Sequence, residues 1–267
     1  MIFDWLAERR RKQILQTPFP KEWESYLQRN MAHWSYLGVQ ERQQLRDLTQ
    51  VFVAEKEWEG CGGLEMTDEI KVTIAGQACL LLLGLPHVLY KNVFSVIVYP
   101  TTVVPVGPRG SWDMEGVVSE NAMPILGEAH ERGPVILVWD AVKRGGVHPE
   151  RGHNVVYHEF AHKLDMMDGS VNGTPPLESA EQYREWAAVC TREFEKLRAQ
   201  DARGYRALLD GYGATNTGEF FAVATEVFFD RPIEMRRVYP ELYGVLKGFY
   251  NQDTAARKQR FLDGQSG

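Results

Sequence analysis

The sequence predicts an α+β domain in which a small mixed β-sheet packs against one functional helix and the C-terminal half is mainly helical. Three observations carry that prediction. Short runs rich in β-branched and aromatic residues are confined to the middle of the chain, at residues 93–99, 116–123 and 134–139. Apolar residues at helical spacing fill the stretches on either side. Residues 155–165 then read Val-Val-Tyr-His-Glu-Phe-Ala-His-Lys-Leu-Asp, a His-Glu-x-x-His core inside a helical run.

Residues 1–20 read as an N-terminal tail, set off by Thr17-Pro18-Phe19-Pro20. A single domain is expected over 21–250, followed by a flexible tail at 251–267. Helices are expected over 22–29 and 40–58, the second with Leu45, Leu48, Phe52 and Val53 on one side. Gly60-Cys61-Gly62-Gly63 breaks the chain, and Thr67 caps a helix running to Gly84 that is apolar nearly all round, hence a core helix. Residues 103–112, rich in Pro and Gly, read as loop. The third strand, Pro134 to Trp139, is almost wholly apolar and therefore central. Gly145-Gly146 and Pro149 read as the loop feeding the His-Glu-x-x-His helix. Beyond it, residues 178–199 form a long amphipathic helix, a short one reaches Leu209, and Asp210 to Gly213 is a loop. Asn216 or Thr217 caps a helix over 218–229, and Pro232 and Pro240 open two more.

At 267 residues, with 44% hydrophobic and 25% charged side chains, the chain can bury a real core. A net charge of −6 gives no electrostatic footprint for nucleic acid. Cys61, Cys79 and Cys190 are odd in number and far apart, which fits thiols in a reducing compartment. The basic cluster Arg9 to Lys12 follows the short apolar start, the reverse of a signal peptide, and the run from Ala78 to Leu85 is too short to span a bilayer. The expectation is a cytoplasmic protein with no membrane and no direct nucleic-acid partner.

On a helix, residues four apart share a face, so His158 and His162 can aim two imidazoles at one point. That is what a Zn²⁺ ion needs from its first two ligands. Glu159 is displaced around the helix but within reach of the same centre, the place for a general base. Lys163 departs from strict forms of the motif, which keep that position uncharged. A third ligand must come from downstream carboxylates, because no His follows His162. Asp168 has the spacing, but the chain would need to turn sharply at Asp165, where glycine would be wanted. Glu219 lies in an almost wholly apolar helix, where a metal would compensate its charge. On the residues alone, that reading of Glu219 and one of a carboxylate favoured by the helix dipole are equal. Glu226 reads either as a support to the site or as an ordinary ion-pair partner. Asp165 is a candidate acceptor for a histidine N–H. Glu120, on the second strand, is a candidate for reading a substrate amine, against the plainer reading of a solvent-facing carboxylate.

The pattern Asn154-x-x-x-His158-Glu159-x-Ala161-His162-Lys163-Leu164-Asp165, with Asp210-x-Tyr212 and Glu219-x-Phe221-Ala222-Val223, resembles the Mlc titration factor A family of bacterial zinc peptidases. The similarity extends over about residues 80–250 and includes Leu85-Pro86, Val96 to Pro100 and Gly133 to Leu137 with Trp139. That family is related to the catalytic domain of anthrax lethal factor, a zincin of the glutamate-ligand type. The resemblance implies a zincin-like fold, one Zn²⁺ ion held by His158, His162 and Glu219, Glu159 as base, and Tyr212 as the hydroxyl that stabilises the oxyanion. It also implies aminopeptidase-like hydrolysis of short peptides. As an alternative it implies a regulatory role in sugar uptake, through binding of the transcriptional repressor Mlc with peptidase activity secondary.

Overall fold

The computed structural model describes residues 2–85, 90–101, 127–129 and 133–265. Along the described chain come α1 (Ile2–Ile14), α2 (Lys21–Asn30), α3 (Val39–Glu55), β1 (Glu57–Gly60), α4 (Asp68–Leu80), β2 (Ser95–Tyr99), β3 (Gly127–Ala129) and β4 (Val135–Val138). There follow α5 (Trp139–Val147), α6 (Val155–Asp165), α7 (Ala180–Asp201), α8 (Thr217–Asp230), α9 (Pro232–Val238), α10 (Pro240–Tyr250) and α11 (Thr254–Gln265), with short 3-10 turns between some of them. The fold is α+β with a small mixed sheet. Its order is β1-β2-β4-β3, with β1, β2 and β4 parallel and β3 antiparallel to β4.

The sheet's central strands are β2 and β4, and Val135, Leu137 and Val138 of β4 are buried, as expected of an apolar strand flanked on both sides. Two apolar helices build the interior. From Val72 to Leu80 every residue of α4 is buried, and in α8 burial runs from Phe220 to Asp230. Between them lies α6, packed on both. Phe160 of α6 meets Phe52 and Tyr90 edge-on at ring distances of 5.7 and 4.7 Å, so the functional helix is wedged into the core on the side away from its histidines.

Several expectations are corrected. The helix expected over 40–58 stops at Glu55, and residues 57–60 are β1, paired in register with Ser95 to Val98. Strand pairing overrides a helical pattern that was already weak past Lys56. Trp139 opens α5 instead of ending a strand, and Gly145-Gly146 lie inside that helix. Helical glycines are wanted there because a Cβ on Gly146 would sit 2.2 Å from the Asn30 carbonyl oxygen, where α2 and α5 cross. No helix forms between Gly204 and Leu209. The stretch expected as an N-terminal tail carries α1, tied down by Arg11 to Glu55 at 2.8 Å and by the Gln50 amide, which donates to the carbonyls of Ile14 and Thr17. Likewise the expected flexible C-terminal stretch is α11, with Ala255 and Arg257 buried and Arg257 paired to Glu41. Polar composition hid both, because their anchors are long-range charge and hydrogen-bond partners. The strand expected over 116–123, with Glu120, and the loop over 103–112 lie outside the described residues.

Candidate metal centre

Asn154 starts the functional helix. Its Oδ1 accepts from the amides of Val156 and Tyr157 at 3.0 and 3.1 Å, capping two otherwise unpaired donors of α6. Its Nδ2 donates to Gln77 Oε1 of α4 at 2.8 Å, and Gln77 in turn donates to the Val142 carbonyl of α5. A buried polar chain thus fixes where α6 begins relative to the two helices behind it. With that start fixed, His158 and His162 project from adjacent turns, their rings 4.9 Å apart.

From the other side comes α8, capped by Asn216, whose Oδ1 accepts from the Glu219 amide at 2.9 Å. Glu219 Oε2 lies 3.0 Å from His158 Nε2 and 3.3 Å from His162 Nε2, and the two Nε2 atoms are 3.3 Å from each other. His158, His162 and Glu219 are the one group among the described residues whose donor atoms converge in this way. Ligands about 2.0–2.1 Å from a tetrahedral zinc lie roughly 3.3 Å apart, so this triangle has the edge lengths such an ion requires. The donor chemistry fits as well: two imidazole nitrogens and a carboxylate oxygen are a set that zinc takes in catalytic sites.

The charges lean the same way. Burial opposes a charge on His158, but hydrogen bonds to Glu219 and Glu226 outweigh it and hold the ring's pKa well above the ordinary value. Glu219 is the converse: burial alone would raise it, and the two histidines pull it well below the carboxylate range. Glu159, 4% exposed, is pushed up to about 7 by burial, against the pull of the histidines. A carboxyl poised there can both take and return a proton near neutrality.

Glu226, two turns along α8 from Glu219, is the supporting group that the sequence left open. Its Oε1 accepts from His158 Nδ1 at 2.8 Å and its Oε2 from the Asn154 amide at 2.7 Å. One carboxylate therefore grips both the start of α6 and its first histidine. With Nδ1 engaged by Glu226, Nε2 is the nitrogen directed at Glu219 and the one left for a metal to replace its proton. The signals available beforehand were a lone Gln in an apolar helix, an Asn four residues before a His, and a Glu seven after another.

Tyr212 sits on a 3-10 turn, Gly211–Ala214, set by the Asp210 side chain, which accepts from the Tyr212 amide at 2.8 Å. Its ring centre is 5.9 Å from that of His158 and it is 48% exposed, so it stands at the rim of the site. Asp168 lies elsewhere: its carboxylate accepts from the amide and hydroxyl of Ser170 in an exposed turn. Asp165 Oδ2 accepts from the Gly173 amide at 2.9 Å, and among the described residues His162 Nδ1 has no hydrogen-bond partner. Asp165 thus orders the loop after α6 and does not serve as the acceptor for a histidine. Lys163 is buried, its Nζ donating to the Gly133 carbonyl; burial lowers its ammonium to about 8, and Glu159 partly offsets that fall.

Residues 5–251 match the family model described as Glucose-regulated metallo-peptidase M90. The chain belongs to this M90 family. A protein of Synechocystis named "Uncharacterized protein slr2042" is 36% identical to it over 249 residues, covering 92% of this chain and 88% of the relative. Mlc titration factor A of Serratia proteamaculans is 31% identical over 230 residues, covering 85% and 86%. The protein of that name from Yersinia pestis is 27% identical over 261 residues, covering 96% and 92%. The M90 chain is thus a member of a metallopeptidase family, and among its described residues no helix is long and apolar enough to cross a membrane.

Proposed function

We propose that this M90 chain is a zinc-dependent peptidase of aminopeptidase-like preference for short peptides, acting in the cytoplasm. The observation that carries the reading is the triangle of His158 Nε2, His162 Nε2 and Glu219 Oε2, with sides of 3.0 to 3.3 Å. These three residues hold the ion. When bound, zinc supplies a Lewis acid and a water acidified toward neutrality. Glu159 takes a proton from the attacking water and returns it to the leaving amine, a task suited to a carboxyl buried beside the histidines. Tyr212 offers its hydroxyl to the oxyanion from the rim. Half exposed at the rim, it stands where an incoming substrate can meet it.

The test combines metal analysis of purified protein with a panel of peptides, some with a free and some with a blocked amino terminus. One zinc per chain and faster cleavage of the free peptides are expected. A protein that never takes up zinc, or a zinc-loaded Glu159→Gln variant as fast as the parent, would overturn the assignment.

A second reading is favoured by the name Mlc titration factor A, carried by relatives at 27 and 31% identity. In it the chain binds the repressor Mlc, linking it to sugar uptake, with hydrolysis secondary. Repressor binding that is indifferent to zinc and to Glu159 would support this second reading.

A further inference from the structure

Lys163 follows the second histidine on α6, and the residue is fully buried. A buried ammonium needs oxygen partners, and one of them is specific: Nζ donates to the Gly133 carbonyl at 3.0 Å. Gly133 lies in the connection between β3 and β4, two residues before Val135, which pairs with Ala129. The same residue is held at its backbone, where the Lys163 carbonyl accepts from Asn92 Nδ2 at 2.7 Å, just ahead of β2. Lys163 therefore ties one point of α6 to the entrances of two neighbouring strands.

The strand most affected is β3. It is only three residues long, it forms the sheet's edge, it packs beside α6, and among the described residues its outer side pairs with nothing. So short a strand has little of its own to hold its place. Among the described residues that edge is left for an extended peptide to pair with by main-chain hydrogen bonds, beside the proposed hydrolytic centre.

We propose that Lys163 is a positioning residue: by holding the β3–β4 connection to α6 through the Gly133 carbonyl, it sets the height of the β3 edge above the histidines and hence the binding of extended peptide. The proposal rests on the peptidase reading. It assigns a task to the one charged position that departs from strict forms of the motif, and that task is separate from holding metal.

The experiment uses zinc-loaded full-length protein and the substitution Lys163→Met, similar in length but unable to donate. Methionine fills the volume of the lysine but leaves the Gly133 carbonyl without its donor, so the variant's fold is checked first by circular dichroism and melting temperature. Amide hydrogen exchange in β3 and β4 is expected to quicken about tenfold or more, while α6 and α8 keep their protection. Zinc content stays at one per chain. For peptides of six or more residues KM rises about tenfold with kcat within about twofold, while an amino-acid amide too short to pair along β3 shows little change. Lys163→Gln, shorter but still a donor, is expected to fall between the two and serves if the Met variant is unstable. Unchanged exchange in β3 and β4 overturns the proposal whatever the activity. Faster exchange with no length-dependent rise in KM overturns it too. A parent protein that cleaves none of the peptides defeats the peptidase reading instead, and the exchange arm still reports whether Lys163 holds the hairpin.

Discussion

Glu226 accepts the Nδ1 proton of His158 at 2.8 Å while its other oxygen accepts the Asn154 amide at 2.7 Å. In the proposed zinc site, the pair sets which nitrogen of His158 is left to bind metal. In Glu226→Gln the carboxamide can keep the Asn154 contact only by turning its NH₂ toward His158 Nδ1, which places the ring proton on Nε2 and blocks ligation. Zinc affinity is expected to fall about 10- to 100-fold, measured by competition with a chromogenic chelator. An unchanged dissociation constant would remove Glu226 from this role.

Glu159 and Tyr212 separate by what they leave intact. Glu159→Gln is expected to keep zinc and lose nearly all turnover. Tyr212→Phe is expected to lower kcat by about 10²- to 10³-fold, the range seen for one oxyanion donor, with KM little altered. Steady-state kinetics on metal-replete proteins decides both. A Tyr212→Phe protein of normal kcat would place the oxyanion partner elsewhere.

Removing the metal should cost stability as well as activity. His158 and Glu219 are 61 residues apart in the chain, so an ion joining them braces α6 against α8. At free zinc a thousandfold above the dissociation constant, the gain is about 4 kcal/mol. Dialysis against chelator is expected to lower the melting temperature by several degrees, and added zinc to restore it. His162→Ala should melt at the same temperature with or without zinc.

Asp253 gives a pH dependence of known sign. Burial alone would raise its pKa, but bonds from Lys247, the Ala256 amide and Tyr243 outweigh this and bring it from 3.8 down to about 2. A carboxylate whose folded value is depressed stabilises the fold above the unfolded value, and that contribution is lost as pH falls from about 4 to about 2. The group is partly open to solvent, so the loss is about 1 kcal/mol rather than the larger figure the shift alone implies. Chemical denaturation of the parent and of Asp253→Asn should differ at pH 5 and converge near pH 2.

The parts of the fold legible in the sequence are those where one local rule suffices. Thr67 and Asn216 announce their helices by capping them, and α4 and α8 announce their burial by being apolar on every side. The convergence of His158 and His162 follows from a spacing of four on one helix. What stayed hidden depends on partners distant in sequence. β1 exists because β2 lies beside it, α5 runs through two glycines because α2 crosses at one and the start of α6 abuts the other, and α11 is anchored by Glu41, 216 positions away from Arg257. Glu219 had two equal readings from its own helix, since nothing local tells a carboxylate near a helix start from one aimed at two imidazoles. Geometry between helices makes that distinction.

Asn154 bears a constraint that its place in a connecting segment would not suggest. Its side-chain oxygen serves two amides of α6, its side-chain nitrogen serves Gln77, and a Cβ on Gly145 would lie 3.0 Å from its Cα. Asp, Ser and Thr are good starters of helices, yet none of them offers an acceptor and an NH₂ donor at once. If every amino acid were tried at this position and the survivors sequenced, the tolerance found in most surface connections would be missing, and asparagine alone would be expected to persist.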